Sequence, residues 1–157
     1  MKTYNILSID GFKTYIERNS RLLGIDPGHK NIGFAICDEN KKVATPYKTI
    51  KKVKFKTLLD EINSLIMENN IKGIVIGNPL NMDGSSSQSS QSATDFAKNL
   101  SKNITLPITL WDERLSSEAT FKITKELGTN TTNRVNKLDK NAAAYILQGA
   151  IDYLSNK

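Results

Sequence analysis

The stretch RLLGIDPGHKNIGFAICDENKKVATPYKTI, residues 21–50, decides the fold of this chain. Residues 21–26 form an apolar run that ends at an aspartate, which is typical of a buried strand. Residues 31–38 alternate well enough for a second strand, and residues 43–50 suggest a third. Pro46 places this third strand near a sheet edge or a bulge, because proline cannot donate a ladder hydrogen bond. Three consecutive strands with short turns predict an antiparallel meander.

Beyond residue 50 the apolar pattern changes between helical and strand spacing. The predicted elements are a helix around 58–66, a strand over 71–79, a helix around 93–100, a strand over 104–111, a helix over 116–127 and a last helix over 139–155. Thr57 with Asp60, and Ser92 with Asp95, resemble capping boxes that would start the first two helices. Helices that alternate with strands favour a mixed sheet with helices on its faces, which is an α/β fold.

The remaining segments lack a clear period. Residues 1–20 precede the first strand and are expected to be an N-terminal extension, either a short helix or disordered. Residues 80–91 are dominated by Ser, Gln and Asn and are interpreted as a loop, and residues 128–138 are predicted to be mobile. We therefore expect one domain over residues 21–157.

Composition excludes several classes of protein. The chain has 157 residues, of which 38% are apolar and 24% charged, as in an ordinary globular domain. No stretch approaches the roughly 20 apolar residues that span a bilayer, and the N-terminus is not a signal peptide. A cytosolic protein without a membrane partner is expected. A single cysteine, Cys37, and a single histidine, His29, exclude an internal disulfide and a structural zinc site. Any metal is expected to have oxygen ligands, which points to Mg²⁺ or Mn²⁺.

The net charge of +6 favours a polyanionic partner, although a lysine-rich composition can also reflect the codon bias of the source.

Three acidic residues stand out by their positions. Asp26 ends an apolar strand, and Glu113 follows the end of another. Because ligands gather outside the carboxyl ends of strands in open α/β sheets, both side chains could face one crevice. Asp139 starts the apolar stripe of the last helix, where a buried carboxylate needs a partner such as a metal ion. The alternatives are a turn residue at Asp26, a surface ion pair at Glu113 and a helix N-cap at Asp139.

A site of this kind suits phosphodiester hydrolysis. Two divalent ions would generate the attacking hydroxide and stabilise the leaving oxygen, so that no protein nucleophile is required. The sequence contains no nucleophile elbow of the Gly-x-Ser-x-Gly type. His29 is interpreted as a polar loop residue or, less simply, as a catalytic base.

Five motifs occur in order along the chain. They are GIDPGHKNIG from Gly24, ATP from Ala44, IGNPLNMDG from Ile76, DERLS from Asp112 and LDKNAA from Leu138. Together they resemble the YqgF family, also called RuvX and described as Holliday junction resolvases. The resemblance covers nearly all of residues 21–157.

This resemblance implies a ribonuclease H-like fold with a five-stranded mixed sheet, three antiparallel strands followed by parallel strands, flanked by helices. It implies nuclease activity in maturation of the ends of precursor 16S ribosomal RNA, with ribosomal particles as further partners. It also implies that Asp26, Glu113 and Asp139 form the catalytic metal site, which would hold two Mg²⁺ or Mn²⁺ ions. The chain departs from the family pattern at Pro27, His29 and Asn78.

Five further residues are candidates for substrate contact. Lys30, Asn81 and Arg114 match family positions, although Asn81 could instead close a turn and Arg114 could pair with Asp112. Arg134 and Lys137 lie in the predicted mobile stretch and could fold over a nucleic-acid backbone or remain in solvent.

Two other functions compete with a nuclease. A non-catalytic RNA-binding module would gain nothing from three carboxylates near phosphates. A sugar-kinase or actin-like ATPase fits the spacing of Asp26, Gly28 and Gly33, but that fold uses two domains and this chain is too short. Within the nucleases, the sequence does not decide between precursor ribosomal RNA and a four-way DNA junction, nor does it indicate the oligomeric state.

Overall fold

The computed structural model of the chain describes residues 5–16, 19–28, 30–80, 83–85, 87–115 and 134–155, with side chains of the last segment from residue 142. The predicted helix over 116–127 and most of the predicted mobile stretch lie outside these residues. In the described part of the chain, no helix is both long and apolar enough to cross a membrane.

The described strands form one mixed sheet of six strands, in the spatial order β1-β6-β5-β2-β3-β4. The strands are β1 (Ile6–Leu7), β2 (Arg21–Pro27), β3 (Asn31–Cys37), β4 (Ala44–Lys51), β5 (Ile71–Asn78) and β6 (Ile108–Asp112). The expected five-stranded count is therefore wrong by one. The additional strand comes from the N-terminal segment, where Ile6 and Leu7 pair in parallel with Ile108 and Thr109.

The predicted meander is confirmed. β2 pairs antiparallel with β3, and β3 pairs antiparallel with β4. β5 and β6 then continue the sheet in parallel with β2. Because β2, β5 and β6 run in the same direction, their last residues lie together at one end of the sheet, which is called the carboxyl end below.

In the residues that the structure describes, four α-helices cover the sheet. They are α1 (Ile9–Tyr15), α2 (Phe55–Asn69), α3 (Gln88–Ser101) and α4 (Arg134–Ser155), and a 3₁₀ turn over Glu113–Leu115 follows β6. The buried residues of α2 and α3 share one apolar cluster with one face of the strands, and those of α1 and α4 share a second cluster with the other face. Residue positions alternate between these faces along each strand, which decides where a strand residue can act.

Both predicted capping boxes are wrong. α2 starts at Phe55, and its N-cap residue Lys54 makes no capping side-chain bond. α3 starts at Gln88, because the Ser87 hydroxyl accepts a hydrogen bond from the Ser90 N–H at 3.0 Å. The last residues of the predicted loop over 80–91 are therefore helical. The buried Ser90 side chain donates to Asn78 Oδ1 at 2.6 Å, a tertiary contact that no local pattern reveals.

The N-terminal segment contacts the core in its described part. Phe12 of α1 is fully buried, and a Cβ atom on Gly73 would lie 2.8 Å from its ring. Asn5 donates from its amide to the carbonyl oxygens of Ile104 and Leu106, at 2.8 and 3.1 Å. The segment therefore helps to hold the connection between α3 and β6.

Candidate active site

The carboxyl end of the sheet holds the first predicted ligand. Asp26 is the next-to-last residue of β2 and lies opposite Gly33 of β3. Two residues earlier, a Cβ atom on Gly24 would lie 2.7 Å from Leu147 Cβ, so this position faces α4. Alternation along the strand places Asp26 on the same face of the sheet as α4.

Glu113 lies at the start of the 3₁₀ turn, directly after β6. Burial, followed by the charges of Asp26 and Asp112, raises the pKa of the Glu113 carboxyl to about 7. The structure therefore brings the first two predicted carboxylates, Asp26 and Glu113, close enough to repel each other.

Gly77 makes room for this arrangement. It is the next-to-last residue of β5 and lies opposite Trp111 of β6. A Cβ atom at this position would lie 2.3 Å from Ile146 Cδ1 and 3.2 Å from Glu113 Oε2. Only glycine lets α4 and the Glu113 carboxylate approach the strand together. The motif around Gly77 does not indicate this role, because the contacts with Ile146 and Glu113 come from distant parts of the chain.

The third predicted ligand, Asp139, belongs to α4, but its side chain lies outside the described residues. Its backbone position precedes Ala143 by about one helical turn. The Ala143 carbonyl oxygen would be 3.1 Å from a Cβ on Gly24, so α4 packs directly on β2 next to this position. Among the described side chains, no group of three or more His, Cys, Asp or Glu residues could hold a metal ion. The set of three therefore stays a prediction.

The donors at this end of the sheet fit a divalent cation. Carboxylate oxygens are the ligands that Mg²⁺ and Mn²⁺ prefer, and Asp26 provides them from the end of β2 and Glu113 from the turn after β6. Their repulsion, which contributes to the raised pKa of Glu113, is the kind of strain that a bound cation relieves.

Arg114 has an ionic partner within the chain. Its Nη2 lies 2.7 Å from Asp112 Oδ2, and its Nε donates to Asp112 Oδ1 at 3.0 Å. These hydrogen bonds lower the pKa of the Asp112 carboxyl and raise that of Arg114. The guanidinium also lies over Gly84, where an added Cβ would be 3.5 Å from Nη1. The ion pair that the sequence left open is thus present, and the phosphate contact stays a prediction.

The other candidate contacts are only partly described. Lys30 is exposed between β2 and β3, and its carbonyl oxygen accepts from the Lys52 N–H at 2.8 Å. Asn81 and His29, as well as the side chains of Arg134 and Lys137, lie outside the described residues. Trp111 is fully buried and meets Tyr153 edge to face at 5.6 Å between ring centroids, so it belongs to the core and does not stack on bases.

Comparison with known proteins identifies the family of this chain. Residues 20–153 match the family described as RuvX, Holliday junction resolvase. The chain belongs to the RuvX family. Relatives in this family include a protein of Pelagibacter ubique, 50% identical over 96% of this chain and 100% of its own length. A protein of Zymomonas mobilis is 43% identical over 90% of this chain and 86% of its own. Both carry the provisional name pre-16S rRNA nuclease.

Solved structures confirm the ribonuclease H-like fold of this RuvX family member. RuvC of Thermus thermophilus, in complex with a Holliday junction substrate, matches 88% of this chain and 97% of its own with a TM-score of 0.56. The yeast mitochondrial Holliday junction resolvase matches 94% of this chain and 84% of its own, with a TM-score of 0.50. At 12% and 15% sequence identity, these similarities concern the fold alone.

Proposed function

We propose that this protein is a metal-dependent nuclease that hydrolyses phosphodiester bonds at the ends of precursor 16S ribosomal RNA. The observation that carries the proposal is that two carboxylates, Asp26 and Glu113, lie close together at the carboxyl end of the sheet. The provisional name of the Pelagibacter and Zymomonas relatives supports the choice of RNA substrate.

Asp26, Glu113 and Asp139 would hold the metal, as two Mg²⁺ or Mn²⁺ ions. Such ions, when bound, lower the pKa of a water molecule and stabilise charge on a leaving oxygen. The chain itself fixes Asp26 at the end of β2 and Glu113 in the turn that follows β6, and a carboxylate held in place in this way needs little reorganisation during the reaction. Glu113, with its pKa of about 7, carries a proton in part at neutral pH and loses it when positive charge arrives.

All residues of the proposed site lie within residues 21–157, which we propose as the nuclease domain. A ribosomal RNA substrate would place the protein in the cytosol. A DNA four-way junction remains the second candidate substrate, because the family as a whole is described by that activity.

The test is a cleavage assay on matched substrates. Purified protein is incubated with a precursor 16S RNA end fragment, single-stranded DNA and a four-way junction, each with Mg²⁺ or Mn²⁺. If only the RNA fragment is cleaved, and chelation of the metal stops this cleavage, the proposal is supported. Preferential cleavage of the four-way junction would select the second substrate. The same assay is run on the site variant Glu113→Gln. Its control is Glu68→Gln, which makes the same chemical change at an exposed position of α2. Binding without cleavage under every condition would identify the protein as an RNA-binding module.

A further inference from the structure

A groove opens beside the proposed active site, on the opposite face of the sheet. It lies between the end of β2, the start of α2 and the middle of α3, and has a volume of about 310 Å³. Its lining includes Pro27, Gly28, Phe55, Phe96 and Asn99. Pro27 directly follows Asp26 and points away from α4 by the alternation of the strand. The groove therefore starts one residue from the proposed cleavage site, and it is called the α2–α3 groove below.

Five exposed lysine residues lie in the two segments next to this groove. The lysine rim consists of Lys30, Lys51, Lys52, Lys54 and Lys56, all exposed. Backbone contacts bring its two segments together, because Asn31 pairs with Lys51 and the Lys52 N–H donates to the Lys30 carbonyl oxygen. Lys52 also lines the groove itself.

Folding does not explain the rim. Lysine protects edge strands from pairing, and β4 is an edge strand, but Lys52, Lys54 and Lys56 follow its end. Lys54 is the N-cap of α2 without a capping bond, and the first turn contains no acidic residue. Positive side chains at a helix start oppose the helix dipole, so this choice costs stability. Local rules are broken in this way mainly at functional sites.

Negative charge in the groove is limited. Asp95 lines it, and its Oδ1 accepts a hydrogen bond from Gln91 at 3.1 Å. A carboxylate at this place suits the amino group of a nucleobase and not a phosphate. The walls combine apolar and aromatic surface, with Val53 44% exposed and Phe55 meeting Phe96 edge to face.

We propose that the α2–α3 groove and its lysine rim bind a single-stranded tract of the nucleic-acid substrate next to the scissile bond. The inference rests on the proposed nuclease function. A basic track for the backbone, beside a cavity with aromatic and polar walls, is how proteins bind single strands. A volume of about 310 Å³ is enough for part of one or two nucleotides, and a paired duplex would not enter it.

The test measures binding without metal, so that cleavage does not interfere. Fluorescence anisotropy measures the binding of a labelled single-stranded RNA of about 12 nucleotides, in the presence of chelator, over a range of salt concentrations. The rim variant is Lys52→Ala with Lys54→Ser and Lys56→Ala. The matched control changes Lys42, Lys72 and Lys102 to Ala, three lysines at the opposite end of the sheet. Both triple variants lose the same charge.

The rim variant should bind roughly tenfold or more weakly, and its log–log salt slope should fall by about 2, since each phosphate contact contributes about 0.7. The control should keep the slope of the parent protein. The melting temperature of the rim variant should equal or exceed that of the parent, because a serine N-cap favours the helix. With an RNA duplex of equal length, the difference in affinity between the rim variant and the control should be much smaller.

Equal losses in both variants would overturn the proposal, since general charge would then explain binding. A parent protein that cleaves RNA while the rim variant binds normally would reject the groove and leave the nuclease function standing. A parent protein that binds through the rim but cleaves nothing would reject the nuclease function and leave the groove standing.

Discussion

On the α4 face, the carboxyl end of the sheet presents the carboxylates Asp26 and Glu113, packed against a helix that approaches so closely that Gly77 must lack a side chain. On the α2–α3 face, one residue further along β2, the same end presents a groove with exposed lysines in the segments next to it. The first region is tight and acidic, and the second is open and basic. Alternation along β2 therefore places the proposed cleavage chemistry and the proposed substrate binding on opposite faces of the sheet, one residue apart.

Asp26→Asn should have the largest effect of the changes considered, and it acts on the α4 face alone. The variant should lose cleavage by at least about 100-fold, because a preorganised charge at the transition state is removed. Single-strand binding in chelator should be equal or tighter, since a negative charge near phosphates disappears. Cleavage rates and anisotropy on the same preparation check both statements. Near-parental cleavage at ordinary metal concentration would show that the acidic face is not the active site.

Glu113→Gln tests the electrostatics of the acidic face through stability. The folded pKa of about 7 lies above the ordinary value of 4.5, so the folded state binds more protons between these pH values. The parent protein, without metal, should therefore lose stability as pH rises from about 4.5 to 7, by up to about 3 kcal/mol. The variant should lack this loss and be the more stable protein at pH 8. Denaturant titrations at pH 4 and pH 8 measure the free energy of unfolding of both proteins. If this free energy changed with pH by the same amount in the parent and in the variant, the described environment of Glu113 would be contradicted.

Gly77→Ala tests the packing of the acidic face. An added methyl group would overlap Ile146 Cδ1 at 2.3 Å and approach Glu113 Oε2 at 3.2 Å. We expect a stability loss of about 1–3 kcal/mol from overpacking, with a fall in cleavage. The lysine rim should not sense this change, so metal-free binding should stay at the parental value. Denaturant midpoints, compared with the salt slope, separate the two effects.

The smallest expected effect concerns Arg114, which lies beside the acidic face and bonds Asp112 through two of its nitrogen atoms. Arg114→Ala should lower the salt slope by at most about 0.7, the value for one phosphate contact. The rim variant should lower it about three times as much. If Arg114→Ala lowered the salt slope more than the rim variant does, the acidic face and not the lysine rim would make the larger contribution to phosphate binding.

Local pattern was enough for most of the sheet. The runs that end at Asp26 and Asn78 are rich in apolar residues of strand period, and both are strands with nearly the predicted bounds. Both helices begin earlier than the capping boxes at Thr57 and Ser92 predicted. α3 is capped by Ser87, and α2 begins after Lys54, which makes no capping bond and therefore has no local signature. The strand at Ile6 was missed because two residues carry no period, and only pairing with β6 defines them.

Residue types and their spacing were enough to predict the family and the order of the elements from β2 to β6, with α2 and α3 between the later strands and α4 last. Only the tertiary structure decided that Asp26 and Glu113 repel each other, because their separation along the chain says nothing about distance across a sheet. It alone also decided that Lys30 meets Lys52, and that Gly77 faces a helix from the other end of the chain. Charge and close packing act through space, and the fold determines which residues share that space.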